Sequence, residues 1–359
     1  MKLDRLQRYL DRLFDSPTRI ETMKGLASGR RDEGALKGFG YGDPLLIRCN
    51  VNEAERRIVL HRIRPNSFGR ERTADRVAAV WLDYDTFNTL PRHIQALDRF
   101  ALLENDELVS LRDAQELMLI TEYQPGSIYA DDLGQILEKG EKTQSDLDRV
   151  AVLGRYLAEI HTHKHQDRSL WRRRLRDLIG HGEGIMGLTD NYPEETSFTS
   201  TEELRGIEAQ ANLWRWRLRD RAHRLSQVHG DFHPFNILFT EGTTFFLLDR
   251  SRGAWGAPED DVASMTINYI FFSLQATNEF TGPFKDLHDR FWEAYFANRS
   301  DDELLECIQP WFAWRALVLA SPIWYPNIAD RIRRTLFDFT HNVLNVDRYD
   351  HLDVEAYLQ

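Results

Sequence analysis

The chain of 359 residues has only two cysteines, Cys49 and Cys307. Two thiols cannot form the disulfide framework of a small secreted scaffold, so a reducing, cytoplasmic compartment is expected. Long apolar runs are also missing. No segment reaches the length of a membrane span, and no membrane partner is expected. The opening Met1-Lys2-Leu3-Asp4-Arg5 is charged and lacks the apolar core of a secretory signal. Lysine is scarce, at seven of the 46 Lys and Arg residues, and the formal net charge is −11. That balance argues against a nucleic-acid surface. Internal repeats and low-complexity segments are absent. The remainder, 42% hydrophobic and 29% charged, is the composition of a globular protein of one or two domains with a sizeable core.

Apolar spacing predicts a helix over residues 3–14, ended by Asp15-Ser16-Pro17. Strands are expected near 18–24, 44–51, 57–64, 94–103 and 116–122, with a helix over 70–86. From about 146 onward helices dominate, and the polar stretch 187–201 reads as a loop. Ser200-x-x-Glu203 has the form of a capping box opening the next helix.

The most informative string is His229-Gly230-Asp231-Phe232-His233-Pro234-Phe235-Asn236, an H-x-D-x-x-x-x-N pattern. Ile237–Phe239 reads as a strand, Glu241-Gly242 as a turn, and the apolar run up to Leu248 as the returning strand. A hairpin of that length brings Asp249 back beside Asn236. Phosphoryl transfer from ATP needs one carboxylate at the acceptor hydroxyl and hard oxygen ligands for Mg2+. Asp231 is the candidate base. Asn236 and Asp249 are the candidate metal pair, and His229 is expected to pack inside the loop.

These residues resemble the aminoglycoside phosphotransferase/choline kinase family, whose pattern is H-G-D-x-x-x-x-N, a strand ending in Asp, then G-D-P-x-x-D-L-A. The third piece stands here as Gly256-Ala257-Pro258-Glu259-Asp260-Asp261-Val262-Ala263. The resemblance makes Asp261 the brace of the catalytic loop, and Ala257 departs from the usual Asp. Arg250-Ser251-Arg252 follow Asp249 where relatives often carry another acidic residue. Leu153–His161 is similar to the family's central helix, and Met118–Tyr123 to its hinge strand, which would put Glu122 and Tyr123 at adenine. The implied fold is α+β, a bilobed protein-kinase-like arrangement. Residues 1–122 would be a β-rich nucleotide-binding lobe, and 123–359 a mostly helical lobe with the catalytic loop, metal site and acceptor-binding helices.

Such folds place a lysine on the third strand, but Arg57–Arg64 contains none. His61 and Arg62 are the candidates for the phosphate contact, and strand alternation lets only one of them face the ligand. Glu71 and Asp75 are the candidate orienting carboxylates. Gly38, Gly40 and Gly42 form a glycine-rich segment suited to approaching phosphates.

Three further clusters have structural readings. His161-x-His163-x-His165 does not converge readily on one ion. The run Trp171–Arg176 reads as a solvated helix face. Trp311, Phe312, Trp314, Trp324 and Tyr325 read as core, with an ammonium cage as the alternative. Together these features imply an ATP- and Mg2+-dependent phosphotransferase acting on a small-molecule hydroxyl, with an amino sugar or amino alcohol as the first acceptor class. A catalytically weak nucleotide-binding module and a protein-modifying enzyme are the alternatives. Oligomeric state is not written in the sequence.

Overall fold

The computed structural model describes residues 2–26, 42–89 and 91–359. Gly38 and Gly40 therefore lie outside the described residues, whereas Gly42 lies within them. The chain divides into two compact units, Met1–Thr121 and Glu122–Gln359. The mixed α+β class expected from the sequence is observed, with small antiparallel sheets and a helix-rich second unit.

The first unit opens with α1 (Leu3–Phe14). Its Leu6, Tyr9 and Leu10 share one face and pack with Ile47 and Leu108. The helix ends at Asp15 in the left-handed region, at φ 47°. β1 (Thr18–Gly25), β2 (Leu45–Val51) and β3 (Ala54–Leu60) form an antiparallel sheet in that order. Asn52 and Glu53, both at positive φ (48° and 67°), make the tight β2–β3 turn, whose handedness suits strand twist. α2 (Thr73–Phe87) follows, then the ribbon of β4 (Phe100–Leu102) and β5 (Leu108–Ser110).

Two sequence expectations change here. β3 ends at Leu60, before His61 and Arg62. The strand expected over 116–122 does not form, and Leu119 and Ile120 are 88% and 93% exposed. An apolar run becomes a strand only where a neighbouring ladder takes up its amides. Among the described residues none pairs with this one.

The second unit contains β6 (Ser127–Ile128), α3 (Tyr129–Lys139), α4 (Gln144–Ile160), α5 (Arg168–Gly180), α6 (Ile185–Thr189) and α7 (Thr201–Leu218). β7 (Ser226–Gln227), β8 (Ile237–Phe239), β9 (Phe245–Leu247) and β10 (Trp255–Gly256) surround the catalytic string. α8 (Pro258–Thr277), α9 (Gly282–Asn298), α10 (Gln309–Ala320) and α11 (Asp330–Leu344) complete it. α8 is the axis of the core, buried continuously from Pro258 to Leu274. α4 packs closely on α9 at Gly154, where a Cβ would sit 2.8 Å from the Phe291 carbonyl.

β6, β8 and β9 form one antiparallel sheet, with Ile237 opposite Leu247. The close approach of Gly126 fixes the entry to this sheet, since a Cβ there would lie 2.5 Å from the Phe239 carbonyl oxygen. The capping box at α7 forms by half. Ser200 Oγ accepts the Glu203 N–H at 3.2 Å. The Glu203 carboxylate turns instead to Thr199, Arg334 and His341.

Candidate active site

Asp261, in the first turn of α8, organises the catalytic loop. One of its oxygens accepts the His229 N–H at 2.8 Å and the other the Gly230 N–H at 2.7 Å. His161, at the end of α4, contacts the same carboxylate through Nε2 at 3.2 Å, while its Nδ1 meets the Tyr295 hydroxyl at 2.9 Å. A carboxylate only accepts, so Nε2 carries the proton and Nδ1 accepts from Tyr295. Burial lowers the pKa of His161 and keeps it neutral, although Asp261 pulls the other way. Burial would raise Asp261, but the His161 contact and the His229 amide outweigh it and hold it ionised. The histidine triplet is thereby resolved: His161 is a buried brace, and among the described residues no group of three or more His, Cys, Asp or Glu is placed to hold a metal.

The loop leaves this anchor through Gly230, whose φ of 88° favours glycine. His229 donates from Nε2 to the Leu248 carbonyl at 2.9 Å and accepts the Asp231 N–H on Nδ1 at 3.3 Å. It packs inside the loop, as expected. Pro234 opens a short 3-10 turn that delivers Asn236 to β8. The Asn236 Nδ2 donates to the Asp231 carbonyl at 3.1 Å and lies 3.5 Å from its carboxylate Oδ2. The Leu248 N–H donates to the Asn236 carbonyl at 2.9 Å, so the hairpin returns Asp249 next to Asn236. Asp249 is exposed, sits at φ 47°, and accepts the Ser251 N–H at 3.1 Å.

Sequence reasoning missed what surrounds Asp231. Arg315 on α10 and Arg252 on the loop after β9 both donate from Nη1 to Asp231 Oδ1, each at 2.7 Å. Arg315 also donates to Asp260 Oδ1 at 2.6 Å. Arg174 on α5 lies 3.8 Å from Asp260 Oδ2 and donates to the Arg252 carbonyl at 2.8 Å. Burial would raise the Asp231 pKa. The His233 contact and the charges of Arg315 and Arg252 overcome this and hold it well below the usual carboxylate range. Oδ1 is doubly occupied, whereas Oδ2 faces Asn236 and, at 3.6 Å, His233 Nε2. Oδ2 therefore has capacity for an incoming hydroxyl.

The expected solvated face of α5 is corrected by these contacts, since Arg173 and Arg174 are buried among carboxylates. Arg173 pairs with Asp177 on its own helix and Arg174 faces Asp260 on α8, and a guanidinium is buried where its charge is paired. The aromatic segment divides. Trp311, Phe312 and Trp314 are buried, whereas Trp324 is 64% exposed and Tyr325 half-buried. The Trp314 ring is flanked by Arg315 and Arg252, with guanidinium carbons 4.1 and 4.7 Å from its centroid.

In the first unit, His61, Arg62 and Gly42 line one cavity of about 280 Å³ together with Arg70 and Asp83. The strand ends before His61, so face alternation does not separate His61 from Arg62. The chain turns here because the Asp43 N–H donates to the Arg62 carbonyl at 3.2 Å and Gly42 bridges Ile63. A Cβ on Gly42 would meet that carbonyl oxygen at 2.2 Å. Asp75 caps its own helix, accepting the Arg72 N–H at 2.7 Å. Asp83, two turns further along α2, lines the cavity, as does Asp43. Glu122 and Tyr123 are exposed at the start of the second unit.

A loop built on H-x-D-x-x-x-x-N, braced by a buried Asp and closed by a hairpin ending in Asp, defines a class of phosphoryl-transfer enzyme. The sequence profile of the phosphotransferase enzyme family matches residues 91–305, and the chain belongs to that family. Among solved structures, a glucosamine kinase in complex with glucosamine, ADP and inorganic phosphate is similar at 17% identity, covering 57% of this chain and 58% of that one, with a TM-score of 0.39. An amicoumacin kinase in complex with AMP-PNP and Ca2+ is similar at 12% identity, covering 88% and 90%, with a TM-score of 0.40. A choline kinase from Streptococcus pneumoniae is similar at 12% identity, covering 94% and 97%, with a TM-score of 0.35. The chain spans a little over half the length of the glucosamine kinase structures it matches. Among curated proteins no relative matches.

Proposed function

We propose that this protein transfers the γ-phosphoryl group of ATP, with Mg2+, to a hydroxyl of a small molecule. The observation that carries the reading is the convergence of Asp231, Asn236 and Asp249 on one braced loop and hairpin. Asp231 Oδ2 would orient the acceptor hydroxyl and take up its proton. Its depressed pKa makes it a weak base, which suits a loose transition state in which little bond formation to the nucleophile has occurred. Asn236 and Asp249 fit Mg2+ by donor chemistry. The Asn236 amide nitrogen is turned to Asp231, which leaves its oxygen as the other end of the amide, and the Asp249 carboxylate is exposed. Two such oxygens suffice where phosphates and waters complete an octahedral shell. The ion would neutralise charge on the phosphates.

The first unit is expected to supply phosphate contacts from His61 or Arg62 and from the segment holding Gly38, Gly40 and Gly42. Glu122 and Tyr123 remain the expected adenine contacts. A cytoplasmic enzyme without nucleic-acid or membrane partners is the accompanying expectation. The second reading, a catalytically weak nucleotide-binding module, is favoured by one observation: Arg252 and Arg315 both occupy Asp231 Oδ1. The deciding experiment measures ADP release from Mg-ATP across sugars, amino sugars, amino alcohols and hydroxy acids, beside Asp231→Ala. Acceptor-dependent release lost in that variant supports the enzyme. Nucleotide binding without release on any acceptor supports the module.

A further inference from the structure

Beside Asp231 the fold gathers three guanidinium groups. Arg174, Arg252 and Arg315 stand against the carboxylates of Asp231 and Asp260. The next carboxylate, Glu183, is 62% exposed and already lies 3.5 Å from Arg252. The aromatic surface that would cage an ammonium, Trp314, has both guanidinium groups against its ring and its Nε1 bonded to the Glu183 carbonyl at 2.7 Å. Arg315 is buried, and its Nε, unpaired among the described residues, is enclosed, so the reachable edge of the pair is Arg252, whose side chain is 20% exposed. A guanidinium carries five donors in a planar fork that matches an oxyanion. An ammonium group brought to this side would meet two like charges, and the carboxylate oxygens facing it would be Asp231 Oδ2, which is given to the acceptor hydroxyl, and those of Glu183, already beside Arg252.

We propose that the acceptor is an anionic hydroxyl compound, a hydroxy acid or a phosphorylated polyol, whose carboxylate or phosphate is held by Arg252 and Arg315 beside Asp231. This deepens the phosphotransferase reading and rests on it for the reaction. The acceptor hydroxyl oxygen forms a bond to the γ-phosphorus of ATP and the bond to the β–γ bridging oxygen breaks. ADP departs and the hydroxyl proton passes to Asp231. In the unliganded chain Asp231 serves as the anion of the two arginines; the acceptor's own anionic group would share that role and loosen their hold on Oδ1. The amino sugar or amino alcohol expected from the sequence would then be the wrong charge.

The test is calorimetric titration of gluconate, glucose 6-phosphate, glucose and glucosamine into the full chain, with ADP release measured in parallel. One or both anions are expected to bind at least tenfold more tightly than glucose or glucosamine, and the two anionic arms separate carboxylate from phosphate. Asp231→Asn removes the competing internal anion and is expected to tighten anion binding while lowering turnover at least a hundredfold. Arg252→Gln, at a side chain 20% exposed against 7% for Arg315, is expected to weaken it at least tenfold, and gives an answer even if Arg315→Gln does not fold. Binding of glucosamine that is lost in Asp231→Asn, or no binding of either anion, overturns the proposal. Anion binding without ADP release keeps the anion site and removes the kinase reading. Turnover confined to glucosamine keeps the kinase and removes the anion.

Discussion

Arg315 reaches across 84 residues of sequence to donate to Asp231 Oδ1 at 2.7 Å, and the same guanidinium donates to Asp260 at 2.6 Å. The candidate base is thus tied to α8 and α10 through one buried cation. Its ionisation and its orientation are set together.

Asp231→Asn is expected to lower kcat by about 10²–10⁴-fold, the range of positioned proton transfer. Nucleotide affinity should stay within a few-fold of the parent. Steady-state ADP release and equilibrium nucleotide titration together check this. Equal loss of nucleotide binding would assign Asp231 to nucleotide binding or folding instead.

Asp261→Ala removes the acceptor of two loop amides and leaves His161 facing an unfilled polar site. Breaking such a buried set costs about 3–5 kcal/mol. Chemical denaturation should show a stability loss of that order, and kcat should fall because the loop carrying Asp231 loses its anchor. A variant with unchanged stability and unchanged kcat would deny Asp261 its bracing role.

Asp249→Asn weakens the candidate metal pair without disturbing the core, since Asp249 is exposed. The Mg2+ concentration for half-maximal activity is expected to rise at least tenfold. An unchanged Mg2+ profile would place the metal elsewhere.

Glu203 gives the pH prediction. Burial would raise its carboxyl, but hydrogen bonds from Arg334, Thr199 and His341 prevail and bring it from 4.5 to about 2. A depressed folded-state value stabilises the protein above the unfolded pKa. That contribution is lost as pH falls from about 5 toward 2. With screening at a partly exposed site, about 1–2 kcal/mol should disappear over that window. Glu203→Gln should flatten the dependence there; an equally steep profile in the variant would assign the effect to other carboxylates.

The catalytic loop was legible because its chemistry is local. His229, Asp231 and Asn236 lie within eight residues, and a short hairpin carries Asp249 to them. The strands of the first unit were legible where a tight turn such as Asn52-Glu53 fixed the pairing. The apolar run 116–122 misled, because strand propensity says nothing of whether a neighbour offers a ladder. Arg315 and Arg174 were invisible for a related reason: periodicity identifies a helix face but not the charge waiting opposite it. Arg174 read as solvated only because the acidic residues that bury it sit far away in sequence. The cavity pairing of His61 and Arg62 with Asp83 depends on where β3 stops, and one chain contact, Gly42 to Arg62, decides that.

The first turn of α8 carries three successive buried carboxylates that point to three different neighbourhoods: Glu259 to Arg224, Asp260 to Arg315, and Asp261 to His161 and the loop amides. Opening the catalytic loop alone would strip Asp261 of its amide partners while that helix stays folded around it. Such a partial opening is costly, so the loop should share the unfolding free energy of the core rather than open on its own. The His229 and Gly230 amides should then exchange with deuterium as slowly as those of α8, in a segment that carries almost no regular secondary structure.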